Sequence, residues 1–171
     1  MRIISIILIT VTAILPASDL TQDIKEAKIK IDLPNDSWAL ANRSENKGMI
    51  IYSYKRKPVD DSEGRHIIPN MAVIIEDVEK KVDAVKYSAL KRSQVKFDVS
   101  EVFTHGKGPI KFVNAIGYKG TYTDSGGLEH TVYVIHAINE RKGIQFICDA
   151  TTGVLEKVEA EFLATLKSIR K

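Results

Sequence analysis

The residue with the clearest potential for chemistry is Cys148, the only cysteine of the chain. It lies in the segment GIQFICDATTG, residues 143–153, where an aspartate and two threonines follow it closely. Strand-like alternation places Cys148 on the same side as Phe146 and puts Asp149 on the opposite side. Because apolar surroundings raise the pKa of a thiol and suppress the reactive thiolate, this pattern favours a buried structural cysteine over a nucleophile.

His136 is the candidate base for that thiol, since a cysteine nucleophile needs a base within reach. A turn placed at residues 140–142 pairs Cys148 with Val134 in a hairpin. The same register pairs His136 with Phe146, which sets the histidine diagonal to the thiol on one face. A thiol-dependent enzyme or redox protein that uses Cys148 with His136 is therefore an alternative function for this chain.

Other motifs that carry chemistry are missing from the sequence. The histidines form no H-x-H, H-x-x-x-H or Cys-x-x-Cys arrangement; they are His66, His105, His130 and His136. His130 and His136 share one face of a strand but lie about 20 Å apart, too far to chelate one ion. The turns HGKGP and DSGGLE lack the spacing of a phosphate-binding loop. We predict no metal site, no cofactor and no catalytic residue set.

Aromatic side chains near the N-terminal strands are the candidates for a binding surface. Trp38, Tyr52 and Tyr54 form a cluster if the helices leave them open, and aromatic residues carry binding energy efficiently. The alternative is that all three side chains belong to the hydrophobic core.

The composition is that of one ordinary globular domain and excludes some partners. The chain has 171 residues, 44% of them hydrophobic and 27% charged, with a formal net charge of +3. Its basic residues are interleaved with acidic ones in segments such as EDVEKKVD, without a basic stripe or stacking aromatics. We therefore predict no nucleic-acid binding.

The N-terminal segment is typical of a secretory signal peptide. Arg2 precedes an uncharged apolar run at residues 3–15, which is too short to span a bilayer comfortably. We predict a signal peptide at residues 1–18, cleaved after Ala17 or Ser18, and a secreted or periplasmic protein. The alternative is an uncleaved segment that tethers the protein to the membrane. Residues 19–26 are expected to form a short linker, and residues 27–171 a single domain.

The hydrophobic pattern after the linker predicts an α+β fold. Alternation and β-branched residues indicate strands at residues 28–33, 48–54, 71–78, 95–99, 111–123, 129–139 and 143–150. The last three strands have short glycine-containing connections and are expected to form an antiparallel meander.

Helical spacing appears twice. A helix of about three turns begins near Asp83, because the apolar residues Val82, Val85, Ala89 and Leu90 recur at helical spacing. A second helix covers residues 154–169, capped by Thr151 or Thr152. Its apolar stripe is expected to pack on the sheet; the stripe consists of Val154 or Leu155, Val158, Phe162, Leu166 and Ile169.

The order of these elements resembles the PsbP/Mog1-like superfamily over residues 27–171. The residues that carry the resemblance are Leu33-Pro34 and Trp38 in IDLPNDSW, and Ser168-Ile169 in the C-terminal segment FLATLKSIRK. The resemblance implies an antiparallel sheet flanked by helices on both sides, an α/β/α sandwich. It also implies a binding or assembly role, because that superfamily has no catalytic residue set to carry over. Leu33 stands where an aromatic is often found, and no metal site is carried over.

Together these features predict an exported, non-enzymatic binding or assembly protein of the cell envelope. Its expected target is a protein partner or a small apolar ligand. Two alternatives remain: the thiol enzyme described above, and a chaperone for apolar segments of secreted proteins.

Overall fold

The structure, a computed structural model, describes residues 20–171. The predicted signal peptide lies outside these residues. The strands are β1 (Thr21–Ile24), β2 (Ile29–Asp32), β3 (Trp38–Asn46), β4 (Met49–Arg56), β5 (Val59–Asp60), β6 (His66–Ile67), β7 (Asn70–Asp77), β8 (Asp98–Thr104), β9 (Ala115–Thr123), β10 (Glu129–Asn139) and β11 (Lys142–Thr151). The helices are α1 (Ala84–Gln94) and α2 (Leu155–Ser168). Neither helix is long and apolar enough to cross a membrane.

Seven strands form one antiparallel sheet in the order β3-β4-β7-β11-β10-β9-β8. The predicted meander of the last three strands is confirmed, and it occupies the centre and one side of the sheet. The strands β3 and β8 are the two edges. The remaining strands form two small hairpins, β1-β2 and β5-β6.

Helix α2 covers one face of the sheet, here called the α2 face. Its apolar stripe is buried as predicted, because residues three and four apart share one side of a helix; the stripe is Val158, Phe162, Leu166 and Ile169. The hairpin β1-β2 packs beside α2 on the same face and adds Ile24, Ile29 and Ile31 to the same core cluster. Helix α1 lies on the opposite face, so the predicted antiparallel sheet flanked by helices is confirmed.

The N-terminal region is more ordered than the sequence pattern indicates. Residues 19–26, expected as a linker, contain strand β1, whose Ile24 is fully buried. The chain after Pro34 also forms the nine-residue edge strand β3, which the sequence analysis did not predict. Most of its side chains are exposed after Trp38, so it lacks the apolar alternation that identifies a strand.

Helix α1 begins where predicted but turns a different side to the sheet. The Asp83 side chain accepts a hydrogen bond from the backbone N–H of Lys86, a standard N-cap. Val85 and Leu90, two of the apolar residues at helical spacing, are 64% and 56% exposed. The buried side chains are instead Ala84, Tyr87, Ser88 and Lys91. The apolar spacing does not mark the buried side of this helix, because the sheet below it offers polar partners to the tyrosine, serine and lysine.

Two further element boundaries differ from expectation. The strand expected at residues 95–99 lies later, at Asp98–Thr104. Neither Thr151 nor Thr152 caps α2 through its side chain; a short 3-10 turn, Thr152–Val154, leads into the helix instead.

Candidate functional site

Cys148 lies inside the core of the α2 face. Its side chain is 2% exposed and shares a hydrophobic cluster with Phe146 of its own strand. Burial raises the pKa of the thiol well above its usual range, and the Asp149 carboxylate adds to that rise. The thiolate is therefore suppressed at neutral pH, which is the opposite of what a nucleophile needs.

His136 lies on the opposite face of the sheet, so the expected pairing with Cys148 was wrong. The hairpin closes with two residues between Asn139 and Lys142, where a turn of three was assumed. This register pairs His136 with Gln145 and Cys148 with Tyr133. A shift of one residue moves a side chain to the other face, and the sheet itself now separates the imidazole from the thiol.

His136 is held in a cage of aromatic and hydroxyl groups beneath α1. Its Nδ1 lies 3.0 Å from Ser88 Oγ, which in turn lies 2.7 Å from the hydroxyl of Tyr118. The rings of Tyr87 and Tyr118 contact the imidazole edge-on, each with its centroid 5.9 Å away. Burial, and then the positive charges of Arg92 and Lys91, lower the pKa of His136 to about 4. The imidazole is therefore neutral at physiological pH.

A cavity of about 200 Å³ opens beside this histidine, between α1 and the strands β9, β10 and β11. We call it the α1 cavity. Its apolar lining consists of Val95, Phe97, Val132, Val134 and Ile147. Its polar and charged lining consists of Lys91, Arg92, Lys96, Tyr122, His136, Gln145 and Asp149. Alternation on β10 and β11 builds the floor, because every second residue of each strand points to this face.

Arg92 contributes an uncompensated positive group to the cavity. Its guanidinium carbon lies 4.0 Å from the centre of the Phe97 ring and 5.4 Å from that of Tyr118. Its Nη1 atom is buried and has no hydrogen-bond partner among residues 20–171. Buried donors are nearly always paired in native proteins, so this atom is an exception that calls for a ligand or water.

Two of the other charged groups around the cavity, Lys91 and Asp149, have hydrogen-bonding or ion-pair partners. Lys91 Nζ lies 2.6 Å from a carboxylate oxygen of Glu76, which also accepts a hydrogen bond from the hydroxyl of Tyr87 at 2.6 Å. Burial, and then this carboxylate, raise the pKa of Tyr87. The ion pair and the hydrogen bond fix the inner side of α1 on the sheet.

Asp149 is likewise occupied at the far end of the cavity. The hydroxyl of Tyr122 donates to one of its carboxylate oxygens at 2.6 Å, and His130 Nδ1 lies 2.8 Å from the other. The Tyr122 and His130 rings stack with centroids 4.9 Å apart. His130 Nε2 lies 3.4 Å from a carboxylate oxygen of Asp124, outside hydrogen-bonding geometry.

The aromatic residues proposed as a binding surface lie on the α2 face. Trp38 and Tyr54 are 2% and 1% exposed and belong to the core, which is the alternative given for them above. Trp38 Nε1 donates to Glu161 of α2 at 2.6 Å, which ties strand β3 to the helix. Tyr52 is partly buried and donates its hydroxyl proton to Glu26 at 2.7 Å.

Metal chemistry finds no support in the described part of the chain. Within residues 20–171 no three histidine, cysteine, aspartate or glutamate side chains lie close enough together to hold an ion.

Sequence reasoning missed the α1 cavity and its key residue, Arg92. One signal in the sequence could have indicated this cavity: Gln145, Ile147 and Asp149 alternate with the core residues of β11 and therefore form its second face. The position of Arg92 depends on which side of α1 meets the sheet, and the apolar spacing of that helix indicates the wrong side.

Solved structures with the same architecture come from bacteria and yeast. LpqN of Mycobacterium tuberculosis, described as involved in cell envelope biogenesis, matches with a TM-score of 0.55 and 18% identity over 83% of this chain and 82% of its own. The Ran-binding protein Mog1p of Saccharomyces cerevisiae matches with a TM-score of 0.52 and 8% identity over 88% and 93% of the two chains. The fold is PsbP/Mog1-like.

A Pseudomonas aeruginosa protein of unknown function shares the PsbP/Mog1-like fold, with a TM-score of 0.57 and 11% identity over 88% of this chain and 95% of its own. No family model and no curated protein matches the sequence. At these identities the likeness concerns the fold alone.

Proposed function

We propose that this chain is an exported, non-enzymatic binding protein that holds a small, largely apolar molecule in the α1 cavity. The observation that carries the proposal is the cavity itself, in which valine, isoleucine and phenylalanine side chains form an apolar wall beside a set of polar and charged side chains. Pockets that combine an apolar wall with convergent polar groups are typical of ligand sites.

The size of the cavity sets the size of the ligand. Dry apolar cavities of about 150 Å³ are known to accept benzene. The α1 cavity, at about 200 Å³, therefore has room for one aromatic ring or a short branched chain with a small head group.

The absence of catalysis is supported by the separation of the two residues with the most chemical potential. Cys148 lies in the α2-face core and His136 lies beneath α1. His136 contacts Ser88, but the serine hydroxyl also bonds Tyr118 and is buried, so a substrate would have to displace α1 to reach it.

Export is supported by the charged start and apolar run at residues 1–15, followed by Ala17 and Ser18. The structural likeness to LpqN, a protein involved in cell envelope biogenesis, agrees with a secreted or periplasmic location. N-terminal sequencing of the protein from its native host tests this. A first residue at position 18 or 19 supports cleavage, and an intact Met1 in the membrane fraction supports a tether.

A ligand-detected NMR titration with benzyl alcohol tests the binding proposal. Wild-type protein is expected to bind this probe, and the Val134→Phe variant is expected to lose binding because the added ring fills the cavity. Val113→Phe is the matched control, since Val113 is 66% exposed and lies outside the α1 cavity. Equal binding by all three proteins, or no binding by wild type, would refute the proposal.

Thiol labelling of the native protein tests the alternative of a Cys148 enzyme. We expect slow labelling of native protein and fast labelling after denaturation, because the thiol is buried and its pKa is raised. A native thiol that reacts at mildly acidic pH would restore the enzymatic hypothesis.

A protein partner is the second candidate, favoured by apolar side chains exposed beside α1. Val99 and Val102 of the edge strand β8 are 39% and 60% exposed, and Val85 of α1 is exposed as well. An edge strand has unpaired backbone groups on its outer side, so it can accept a strand from a partner protein of the same compartment.

Site-specific photo-crosslinking distinguishes this candidate. A crosslinker at Val102 is expected to capture one partner segment, whereas a crosslinker at Asn42, on the opposite edge strand β3, is expected to capture none. Capture of many unrelated apolar sequences at Val102 would instead identify a chaperone for secreted proteins. Equal capture at both edges would exclude a specific surface at β8.

A further inference from the structure

One partly buried cation that lines the α1 cavity has no charged partner among the described residues. Lys91 is paired with Glu76, and Asp149 is held by Tyr122 and His130. Arg92 has no such partner, and its buried Nη1 makes no hydrogen bond within residues 20–171. The cavity therefore has one surplus, partly buried cation against an apolar wall.

The guanidinium of Arg92 is held in place without being neutralised. It lies over the Phe97 ring at 4.0 Å and beside Tyr118 at 5.4 Å. Aromatic rings attract a cation through their electron-rich faces but do not satisfy its N–H groups. An arginine fixed in this way needs little further ordering when an anion arrives.

We propose that the ligand of the α1 cavity is a small organic monocarboxylate, whose carboxylate accepts a hydrogen bond from Arg92 Nη1 while its apolar body lies against Val132, Val134 and Ile147. This inference rests on the proposed binding function and adds the chemical class of the ligand. Arginine suits a carboxylate because the hydrogen bond is assisted by both charges.

A single negative charge fits the site better than two. Only one cation lining the cavity is both partly buried and unpaired, since Lys96 is exposed to solvent. The Asp149 carboxylate also lines the cavity, and it repels a second negative charge on the ligand. His136 stays neutral and is not a competing cation.

Titration with benzoate, benzyl alcohol and phenyl phosphate at pH 7.5 tests this inference by ligand-detected NMR. We expect benzoate to bind about tenfold more tightly than benzyl alcohol, the difference that one charge-assisted hydrogen bond typically gives. Phenyl phosphate is expected to bind no more tightly than benzoate.

Arginine variants identify the group responsible. In Arg92→Gln, benzoate binding is expected to weaken about tenfold while benzyl alcohol binding changes less than about twofold. Arg92→Lys keeps the charge without the planar donor and is expected to give an intermediate affinity for benzoate. Arg141→Gln, a change of an exposed arginine in the β10-β11 turn, is the control and is expected to match wild type.

The outcomes separate the two proposals. If wild type binds none of the probes, the binding function itself is wrong. If benzyl alcohol binds as tightly as benzoate, or if Arg92→Gln weakens both equally, the cavity binds ligands but the monocarboxylate assignment is wrong. Tighter binding of phenyl phosphate than of benzoate would overturn the assignment in favour of a dianion.

Discussion

The two faces of the sheet are built differently. On the α2 face, apolar side chains of a helix, a hairpin and the strands pack into one continuous core. On the α1 face, the helix turns Tyr87, Ser88 and Lys91 towards the sheet, exposes Val85 and Leu90, and leaves a cavity beside His136. The comparison indicates that the α2 face supplies most of the stability, while the α1 face contains the cavity of the proposed ligand site.

The largest difference in the free energy of unfolding is expected when one helix side chain on each face is shortened to alanine. Phe162 of α2 is fully buried, so Phe162→Ala should lower the free energy of unfolding by about 3–5 kcal/mol. Leu90 of α1 is mostly exposed, so Leu90→Ala should change it by less than about 0.5 kcal/mol. Urea denaturation of both variants measures this, and similar losses would contradict the assignment of roles to the faces.

The second prediction concerns acid sensitivity of the α1 face. His136 has a pKa of about 4 when folded, against an ordinary value of 6.5. Between these values the unfolded chain binds a proton that the folded protein does not, so stability should fall by up to about 3 kcal/mol as the pH drops from about 6.5 to about 4. The groups that act on the ring are Tyr87, Ser88, Lys91, Arg92, Tyr118, Gln145 and the Glu76 carboxylate, which opposes the lowering of its pKa.

The His136→Gln variant isolates this effect from the other histidines. Its stability is expected to fall less than that of wild type over the same pH range. Denaturant unfolding at pH 7, 6, 5 and 4 provides the comparison. Parallel pH profiles for the two proteins would show that His136 is not the group responsible.

A smaller loss is expected at the polar seam of the α2 face. Glu161 accepts hydrogen bonds from Arg56 Nε at 2.8 Å and Trp38 Nε1 at 2.6 Å. Glu161→Gln removes the negative charge, so the Arg56 guanidinium is left only partly compensated. We expect the free energy of unfolding to fall by about 2 kcal/mol. Glu156→Gln, an exposed change on the same helix, is the control, and thermal unfolding measures both. Equal melting temperatures for the two variants would refute a structural role for this seam.

The smallest expected effect is that of the thiol. Cys148→Ala removes one sulfur from the α2-face core and should lower the free energy of unfolding by about 1 kcal/mol. Ligand binding in the α1 cavity should be unchanged, because the sheet separates the two. A loss of ligand binding without a loss of stability would indicate that Cys148 contributes to the α1 cavity.

Much of the fold followed from periodicity, and the errors have identifiable causes. The stripe of α2 and the alternation of the central strands were predictable because a dry core imposes a strict apolar pattern. The side of α1 that meets the sheet was not, because its buried positions are tyrosine, serine and lysine. Polar contacts leave no such pattern in the sequence.

The incorrect pairing of His136 with Cys148 came from one extra residue assumed in the β10-β11 turn. The β10-β11 connection has two residues, with Glu140 in the left-handed region at φ 54°. Assuming three residues moved His136 to the wrong face and created an apparent pair with Cys148. Two-residue hairpin turns are most easily recognised from a glycine at a central position, and the sequence here has Glu140-Arg141, so the length of this turn was not apparent.

The central claim is that a ligand binds on the α1 face and leaves the α2 face unchanged. Carbon-13 methyl NMR of the wild-type protein during a benzoate titration tests it most directly. We predict saturable shifts for the methyl groups of Val132, Val134 and Ile147, which line the α1 cavity, and none for Val73, Ile75 and Ile144 in the opposite core. Shifts confined to the second group, or none in either, would contradict the account.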